Sequence, residues 1–469
     1  MHPLELSSGT LETALDLTMR FVREEVDSLG AQPSADLDGA EDLARTFAEP
    51  LPTKPQPLES ILERLRPAIR KTFNTAGPGY LAFIPGGGIM SAAIADLIAT
   101  STNRYVGVRA PSPALVQIEE TAIAWLAHLM GYPKTAGGIL TSGGSLSTLS
   151  AIVAAREAKL PEDFSKGTIY ISDETHYCVP KAARIAGFRE AQIRRIGVDQ
   201  RRRIDTRALE HMIEADHHQG LKPFMIIASV GTTNTGAIDD ISRMVSIGRA
   251  RSLWVHADAA YGGFFRLAEG GPALMRDIEE CDSITLDPHK GMFLPYGTGC
   301  LLVKDPDALK RAHSADAEYL HDVRAEASFN FSDLSPELSR DFRGLRIWLP
   351  LVLHGVGAFR DAIEEKLSLT RWAYDQLKDD ARFEILDEPQ LSVIALRLKG
   401  DDASVDALTE DLQRRVNARG RVFLSSTRLE GRYIIRLCVL SFRTHMDRVK
   451  DAVDGLKEEA GRVLAGGLR

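Results

Sequence analysis

The sequence predicts an α/β protein whose central sheet is mostly parallel. Short apolar or β-branched runs alternate with helical patterns through the middle of the 469 residues, and that alternation is typical of crossover units in a parallel sheet. After about residue 355 three more runs, RFEILDEP, LSVIALRL and YIIRLCVL, alternate with helices, which favours a smaller α+β domain. The strands predicted for the central sheet are GTIYIS (167–172), PFMIIASV (223–230), SLWVHAD (252–258), DSITLD (282–287) and TGCLLVK (298–304).

The N-terminal segment has helical patterns instead of alternating strands and helices. Residues 10–29 place apolar side chains at helical spacing, and the proline-rich stretch at 49–57 separates this helix from a second helical pattern. The apolar face of the first helix favours a core or subunit contact over a membrane anchor, because its polar face is acid-rich. We therefore predict an N-terminal helical arm (1–85), a large domain (86–355) and a small C-terminal α+β domain (356–469). The basic cluster RRIGVDQRRR is expected to form a solvated turn.

The composition narrows the possible partners and compartments. Acidic residues outnumber basic ones by 65 to 57, a formal net charge of −8, which argues against a nucleic-acid partner. The four cysteines are spaced too widely for a metal knuckle or a redox pair, so we expect no metal site and a reducing compartment. The first residues lack the basic start of a signal peptide, and no apolar run could span a bilayer. We expect a cytoplasmic protein without a membrane partner.

Chemically unusual side chains follow the predicted strands. Since ligands of open α/β sheets bind beyond the carboxyl ends of the strands, these positions are the candidate site. Taken singly, each has a simpler explanation as a helix cap, a core histidine or a surface lysine. The side chains are His176, Thr233, Asp258, His289 and Lys290.

A glycine-rich segment, Thr141-Ser142-Gly143-Gly144-Ser145, precedes a predicted helix. Such a segment can bind a phosphate through its backbone amides and the helix dipole, although a serine-rich cap without a phosphate is the commoner explanation. A phosphate cradle, a strand-end carboxylate and a strand-end lysine are together the parts needed to hold pyridoxal phosphate (PLP). The lysine can form a Schiff base with the aldehyde, and the carboxylate can keep the pyridine nitrogen protonated.

Six motifs occur in the order found in the PLP-dependent group II decarboxylases: TSGGS, SDETHYC, VGTTNTGAID, WVHADAAYGG, DSITLDPHK and ELSRDFRGLRIW. The chain resembles this family, which includes aromatic-L-amino-acid decarboxylase, from about Leu11 to the segment LCVLSFRTH. The resemblance implies PLP fold type I, of the aspartate aminotransferase type. It also implies an amino-acid substrate and a homodimer with its sites at the subunit interface.

The resemblance further implies roles for individual residues. Lys290 is similar to the Schiff-base lysine, His176 to the histidine that stacks on the cofactor ring, and His289 to a catalytic neighbour near the phosphate or the substrate carboxylate. The implied substrate-binding residues are Phe83, Ile84, Tyr105 and Phe331. The implied cofactor-binding residues are Ser142, Gly143, Gly144, Ser145, His176, Thr233, Asp258, Ala260, Asp287, His289 and Lys290.

Two departures from the family pattern bear on chemistry. Counting back from ELSRDFRGLRIW, Phe331 matches the mobile-loop tyrosine that donates a proton to the substrate carbon, and phenylalanine has no proton to give. Tyr319 or His321 could supply the acid instead. Asp287 stands where the animal enzymes have an asparagine near the phosphate, so its acid must point away, be hydrogen-bonded or be protonated.

The sequence thus predicts a PLP-dependent decarboxylase that converts an L-amino acid, aromatic or related, to the amine and carbon dioxide. Relatives with phenylalanine at the acid position produce an aldehyde, ammonia and peroxide, so an oxidative aldehyde synthase is the alternative. A cofactor-binding paralogue without turnover is the third. An aminotransferase is disfavoured, because no separate feature for a second carboxylate is found.

Overall fold

The structure is a computed structural model that describes residues 2, 4–315, 329–400 and 403–466. The chain forms two compact units. The large unit comprises Gly86–Tyr374 and Ile385–Ala395, and the small unit comprises Met1–Pro85, Asp375–Glu384 and Leu396–Arg469. The division into three domains stays a prediction.

The described residues form twelve strands. In chain order they are β1 (Tyr80–Leu81), β2 (Gly137–Thr141), β3 (Gly167–Ser172), β4 (Ile193–Ile196), β5 (Lys222–Ser229), β6 (Trp254–Asp258), β7 (Ser283–Leu286), β8 (Gly299–Val303), β9 (Phe383–Ile385), β10 (Val393–Leu398), β11 (Phe423–Leu429) and β12 (Arg432–Cys438).

The same residues form fifteen α-helices. They are α1 (Ser8–Ser28), α2 (Ala40–Arg45), α3 (Leu58–Arg70), α4 (Met90–Thr102), α5 (Pro113–Leu129), α6 (Gly144–Lys159), α7 (Cys178–Ile185), α8 (Thr206–His218), α9 (Ile241–Arg251), α10 (Gly271–Leu274), α11 (Pro288–Gly291), α12 (Pro306–His313), α13 (Arg343–Leu377), α14 (Ala403–Ala418) and α15 (Met446–Gly466). Helix α13 is kinked at Gly355, whose φ is 71°.

The large unit is built on a seven-stranded sheet with the order β2-β8-β7-β6-β5-β3-β4. Strands β4, β3, β5, β6 and β7 are parallel, whereas β8 runs antiparallel to both β7 and β2. Reversal at β8 gives β2 the same direction as the parallel strands. The carboxyl ends of β2, β3, β5, β6 and β7 therefore share one edge of the sheet, and the predicted α/β fold with a mostly parallel sheet is confirmed.

Separate hydrophobic clusters cover the two faces of this sheet. Ile169 and Ile171 of β3 pack into a cluster with residues of α6 and α7. Tyr170, between them, packs into a second cluster with residues of α8 and α9. Side chains alternate along a strand, so an apolar strand needs helices on both faces. The unbroken apolar runs in the sequence reflect this double burial.

The small unit contains a five-stranded sheet with the order β1-β11-β12-β10-β9. Strand β1 is parallel to β11, and β11 forms an antiparallel hairpin with β12. The hairpin turns at Glu430 and Gly431, which both have positive φ (51° and 80°). Helix α14 packs against α15 and β12. The unit is thus an α+β arrangement.

The prediction differs from the structure at four strands. Strands β1, β2, β4 and β11 were not predicted as strands, and β4 includes part of the basic cluster expected to be a solvated turn. Arg194 of β4 donates two hydrogen bonds (2.9 and 2.8 Å) to Asp216, whose side chain is 2% exposed. The turn is confined to the residues that follow, where Arg203 pairs with Asp199 at 2.7 Å. The buried carboxylate of Asp216 compensates the positive charge of Arg194. Sequence alone does not show that an arginine in a strand has such a partner.

Within the described ranges, no helix combines the length and apolar character needed to cross a membrane.

Candidate active site

A cavity of about 410 Å³ lies at the sheet edge where the carboxyl ends of the parallel strands meet. All eleven residues implied to bind the cofactor line it. The other lining residues are Leu146, Cys178, Ser229, Gly231, Thr232 and Tyr261. The topology thus collects side chains that are separated by more than a hundred positions in the sequence.

One end of the cavity is formed by the loop between β2 and α6. Gly143 has a φ of 154° and a ψ of 172°, a combination that favours glycine. A β-carbon on Gly299 of β8 would lie 2.5 Å from the Gly143 Cα, so the two backbones meet without room for a side chain. The hydroxyl of Thr141 fixes the loop by accepting the Gly143 N–H (3.2 Å) and donating to the Gly143 carbonyl (3.0 Å). The first amides of α6, at Gly144 and beyond, are thereby presented to the cavity as an anion site.

Asp258 ends β6 and faces the cavity. The backbone N–H of Ala260 donates a hydrogen bond to its carboxylate, at 3.3 Å. Burial raises the pKa of Asp258, while the charges of Lys290 and His176 oppose that rise. A carboxylate so placed is suited to a buried cationic partner.

Lys290 lies in the short helix α11, directly after β7. Its Nζ is 2.8 Å from Oδ2 of Asp287. Burial disfavours the charge of Lys290, but the negative charges of Asp287 and Asp258 outweigh it and raise the pKa of the amine. In this state Lys290 is an ammonium group held by Asp287.

The two histidines of the cavity are neutral at neutral pH. Burial lowers the pKa of His176 and that of His289, against the attraction of nearby carboxylates. Nδ1 of His289 lies 2.7 Å from the carbonyl oxygen of Thr298. Because a carbonyl only accepts, Nδ1 carries the proton and Nε2 of the neutral ring has a lone pair.

The residues implied to bind substrate do not line this cavity. Phe83 and Ile84 belong to the small unit, where Phe83 has a φ of 52° and is 51% exposed. Tyr105 and Phe331 belong to the large unit, and neither lines the cavity. Phe331 is fully buried. Tyr319 and His321, the alternative acids, lie outside the described residues.

Sequence reasoning missed two polar residues of the cavity. Ser229 is the last residue of β5, and Tyr261 follows Asp258 by three positions. The Tyr261 hydroxyl lies 2.8 Å from Oγ of Ser392 and accepts the Ser392 N–H at 3.0 Å. The strand-end rule alone would have found Ser229.

The profile of the pyridoxal-dependent decarboxylase conserved domain matches residues 41–399. The chain belongs to the pyridoxal-dependent decarboxylases. This decarboxylase is 32% identical to an aromatic-L-amino-acid decarboxylase of Bacillus atrophaeus, over 98% of this chain and 97% of that protein. It is 31% identical to an aromatic-L-amino-acid decarboxylase of Catharanthus roseus, with 89% and 87% covered.

Solved structures of similar proteins agree with the architecture. Oryza sativa TDC with PLP and tryptamine superimposes with a TM-score of 0.93 at 26% identity, over 98% of this chain and 99% of that one. Catharanthus roseus tryptophan decarboxylase in complex with L-tryptophan gives 0.91 at 27% identity, over 99% and 100%. The fold is PLP fold type I, and the decarboxylase is a PLP-dependent carboxy-lyase.

The cavity of this decarboxylase fits PLP. A glycine cradle at the start of α6 suits the phosphate, Asp258 suits the pyridine nitrogen, and Lys290 is the amine available for the aldehyde. Across the described residues, no group of three or more histidine, cysteine or acidic side chains is arranged to hold a metal ion. Two carboxylates line the same cavity, and Asp287 is the one whose charge is not assigned a cationic partner on the cofactor.

Proposed function

We propose that this decarboxylase removes the α-carboxyl group of an aromatic L-amino acid and releases the corresponding amine. The observation that carries the proposal is the joint presence of the Lys290 amine and the Asp258 carboxylate in one cavity with the phosphate cradle. The choice of an aromatic substrate is supported by relatives named for aromatic L-amino acids, tryptophan and tyrosine.

Lys290 has two tasks in this proposal. Its amine would hold the cofactor, and it would give way to the amine of the substrate. Only the neutral amine is a nucleophile, so the proton that Asp287 stabilises on Nζ must first leave. When bound, PLP supplies an electron sink for the bond that breaks at the substrate Cα.

Asp258 and His176 set the environment of the cofactor ring. The buried carboxylate of Asp258 would favour a protonated pyridine nitrogen in bound PLP, and that cation would in turn compensate the buried carboxylate, whose pKa burial raises. His176 is neutral, because burial lowers its pKa, and a neutral imidazole can stack on the ring without competing for Asp258. Thr233 and His289 line the cavity beside them.

Selection of decarboxylation depends on orientation. The bond to the carboxylate must stand perpendicular to the cofactor ring for its electrons to be delocalised. The cradle Ser142–Ser145, Asp258 and Lys290 would hold the cofactor at three separate points, which prevents the ring from tilting.

The alternative function, an aldehyde synthase, depends on Phe331 replacing the residue that donates a proton to the substrate carbon. The Phe331 ring is buried and does not line the cavity, so its position does not support this alternative. Amine formation is therefore the product we propose.

A homodimer in the cytoplasm is part of the proposal. Exposed apolar side chains on one face of α1 support a partner subunit: Leu11, Leu15 and Met19 are 46%, 44% and 45% exposed. In the large unit, α13 likewise exposes Val352 and Leu353, at 57% and 63%. Apolar patches of this kind mark interaction surfaces.

The test is a panel of L-amino acids incubated with the PLP-loaded protein. Carbon dioxide, amine, aldehyde and dissolved oxygen are measured together. We expect one mole of amine per mole of carbon dioxide from an aromatic substrate, with no oxygen uptake. Consumption of oxygen in proportion to aldehyde would show that the protein is an aldehyde synthase, and turnover of acidic or aliphatic substrates alone would refute the aromatic assignment.

A further inference from the structure

One backbone carbonyl, that of Thr298, holds His289 at two points. Strand β8 runs antiparallel to its neighbours, so its amino end lies at the same sheet edge as the cavity. Thr298 is the residue before β8, and its carbonyl oxygen accepts Nδ1–H of His289 at 2.7 Å and the backbone N–H of His289 at 3.4 Å. The position of this carbonyl therefore sets both the ring and the backbone of His289.

A second acceptor competes for the single ring proton of His289. The Nε2 atom lies 3.7 Å from Oδ2 of Asp287, which is beyond hydrogen-bond distance. A charged acceptor makes a stronger hydrogen bond than a neutral one, so a small movement of the ring would favour a proton on Nε2. The neutral carbonyl of Thr298 keeps the proton on Nδ1 only while it stays close to that nitrogen.

Arg346, in α13, reaches the turn that contains this carbonyl. Its Nη1 donates to the carbonyl of Gly297 at 3.1 Å and to Oγ1 of Thr298 at 3.0 Å. Oγ1 of Thr298 in turn donates to the carbonyl of Pro295 at 3.2 Å. Gly297 has a φ of 91°, which favours glycine, so the chain bends sharply here. One guanidinium group thus holds two oxygens of the turn before β8.

The guanidinium group of Arg346 is itself fixed. Its Nε donates to Oδ1 of Asp96, in α4, at 2.6 Å. Because a guanidinium is planar and donates in fixed directions, this bond orients Nη1 towards the turn. The side chain of Arg346 is 14% exposed and Thr298 is fully buried, so water is poorly placed to replace the lost donors if Arg346 is removed.

We propose that Arg346 is a positioning residue: through the turn at Gly297 and Thr298 it keeps the proton of His289 on Nδ1, so that Nε2 remains a hydrogen-bond acceptor in the cavity. The inference rests on the proposed function, in which His289 lines the cavity where the substrate reacts. It names a residue outside that cavity on which the chemical state of His289 depends.

Loss of Arg346 has a specific expected consequence. The turn would be free to move, and the ring proton of His289 would transfer to Nε2, facing Asp287. His289 would then be a donor that competes with Lys290, whose Nζ is 2.8 Å from the same carboxylate oxygen. The cavity would lose an acceptor, and the ammonium group of Lys290 would share its partner.

Nuclear magnetic resonance of the full-length, cofactor-free protein with ¹⁵N-labelled histidine tests this at neutral pH, because it reports which ring nitrogen carries the proton. The signals of His289 are those that disappear in His289→Gln. We expect the wild type to carry the proton on Nδ1. In Arg346→Met the ratio of the Nε2–H to the Nδ1–H form should rise at least about tenfold, as loss of a charge-assisted hydrogen bond implies.

Three further variants separate positioning from a general loss of stability. Arg346→Lys keeps a charged donor and should retain more of the Nδ1–H form than Arg346→Met. Thr298→Val removes the Oγ1 contact but keeps the carbonyl, and it should shift the ratio in the same direction. It also replaces Arg346→Met if that variant fails to fold. The matched control Arg194→Met removes an arginine that makes two hydrogen bonds to Asp216 outside the cavity. It should leave the signals of His289 unchanged.

Steady-state kinetics provide the second measurement. We expect Arg346→Met to lower kcat by about 10- to 100-fold, the scale found for the outer partners of metal-bound histidines, with recovery in Arg346→Lys. The folded fraction of Arg194→Met should keep its kcat. The proposal is overturned if wild-type His289 carries its proton on Nε2. The same ratio of the two forms in the wild type and Arg346→Met, equal shifts in Arg346→Met and Arg194→Met, or equal losses in Arg346→Met and Arg346→Lys would overturn it as well.

Failure of the proposed function has a different signature. If the wild type releases carbon dioxide from none of the L-amino acids in the panel while the proton of His289 moves as expected, the proposed function is wrong and the positioning role of Arg346 stands. If the wild type is active and the proton stays on Nδ1 in Arg346→Met, only the positioning role is wrong.

Discussion

The guanidinium group of Arg340 lies 4.7 Å from the centre of the Phe331 ring and forms a 2.6 Å ion pair with Glu119. Both charged side chains are fully buried. Arg340 also donates a hydrogen bond (3.2 Å) to the carbonyl of Leu140 in β2. Phe331 is therefore packed beneath a buried ion pair that is attached to the strand leading into the cradle.

This packing predicts the outcome of Phe331→Tyr. We expect the ratio of amine to aldehyde to stay unchanged, because the ring does not line the cavity. The added hydroxyl would be buried, and without a partner it costs about 1–3 kcal/mol of the free energy of unfolding. Product analysis with an oxygen electrode and thermal denaturation measure the two effects. A variant that makes more amine at the expense of aldehyde would show that Phe331 does control the product.

The ion pair itself is expected to matter for stability. Glu119→Gln leaves the buried Arg340 charge without compensation, and such losses cost about 3–5 kcal/mol of the free energy of unfolding. The double variant Glu119→Gln/Arg340→Met should recover part of this loss. The control is Glu388→Gln, which removes the partner of Arg371 in a pair that is 55% and 60% exposed. Its cost should be about 1 kcal/mol or less. Denaturant unfolding measures all three, and equal costs for the buried and exposed pairs would contradict the prediction.

Lys290→Ala should abolish the visible absorbance of lysine-bound cofactor and reduce decarboxylation by several orders of magnitude. Lys304→Ala is the matched control, because Lys304 also follows a strand of the sheet but pairs with Glu280 (2.9 Å) outside the cavity. The control should keep its absorbance and its activity. Absorbance spectra of the purified proteins with added PLP decide the matter, and a band that survives in Lys290→Ala would mean that a different group holds the cofactor.

His256 should make stability depend on pH. It lies in β6 with Nδ1 2.8 Å from Oγ of Ser283 and Nε2 3.2 Å from Oγ1 of Thr285. Burial lowers its pKa from 6.5 to about 3. Between these two pH values, His256 binds a proton in the unfolded chain but not in the folded protein. The free energy of unfolding therefore decreases as the pH falls from 6.5 towards 3.

The contribution of His256 can be isolated by comparison with His256→Gln. The variant should be less stable than the wild type at neutral pH, because it loses hydrogen bonds in a buried site. Its unfolding free energy should fall less on acidification, by a difference that reaches about 4–5 kcal/mol at the acid limit. Urea unfolding at a series of pH values measures this difference. Parallel pH profiles for the two proteins would refute the assignment.

Most of the sheet could be predicted from sequence, because its strands are buried on both faces and read as unbroken apolar runs. β3 was predicted with its observed bounds, and β5 to within a residue. β2 escaped detection because it begins with two glycines, and β4 because arginines interrupt its apolar pattern. Their partners, Val303 to Gly299 for β2 and Asp216 for Arg194, are distant in the sequence.

The residues predicted to bind the cofactor lie in one cavity for a related reason. Strand ends are recognisable in the sequence, and parallel topology brings them to one edge. The residues predicted to bind the substrate do not line that cavity, and their positions depend on packing that has no local signature. Both sets of roles stay predictions. Phe331 shows this best: spacing in the motif places it near an acid position, whereas the buried Arg340–Glu119 pair that surrounds it comes from two distant segments.

The strand order has a consequence for how the protein matures. β2 pairs with β8 in the sheet, so the cradle that follows β2 acquires its neighbouring strand only after the chain has been synthesised through residue 303. Such distant pairing is slow, because loop closure precedes any gain in contacts. The nascent chain cannot complete the phosphate end of the cavity before then. Capture of the cofactor should accordingly be a late event, one that reports that the sheet of the large unit is complete.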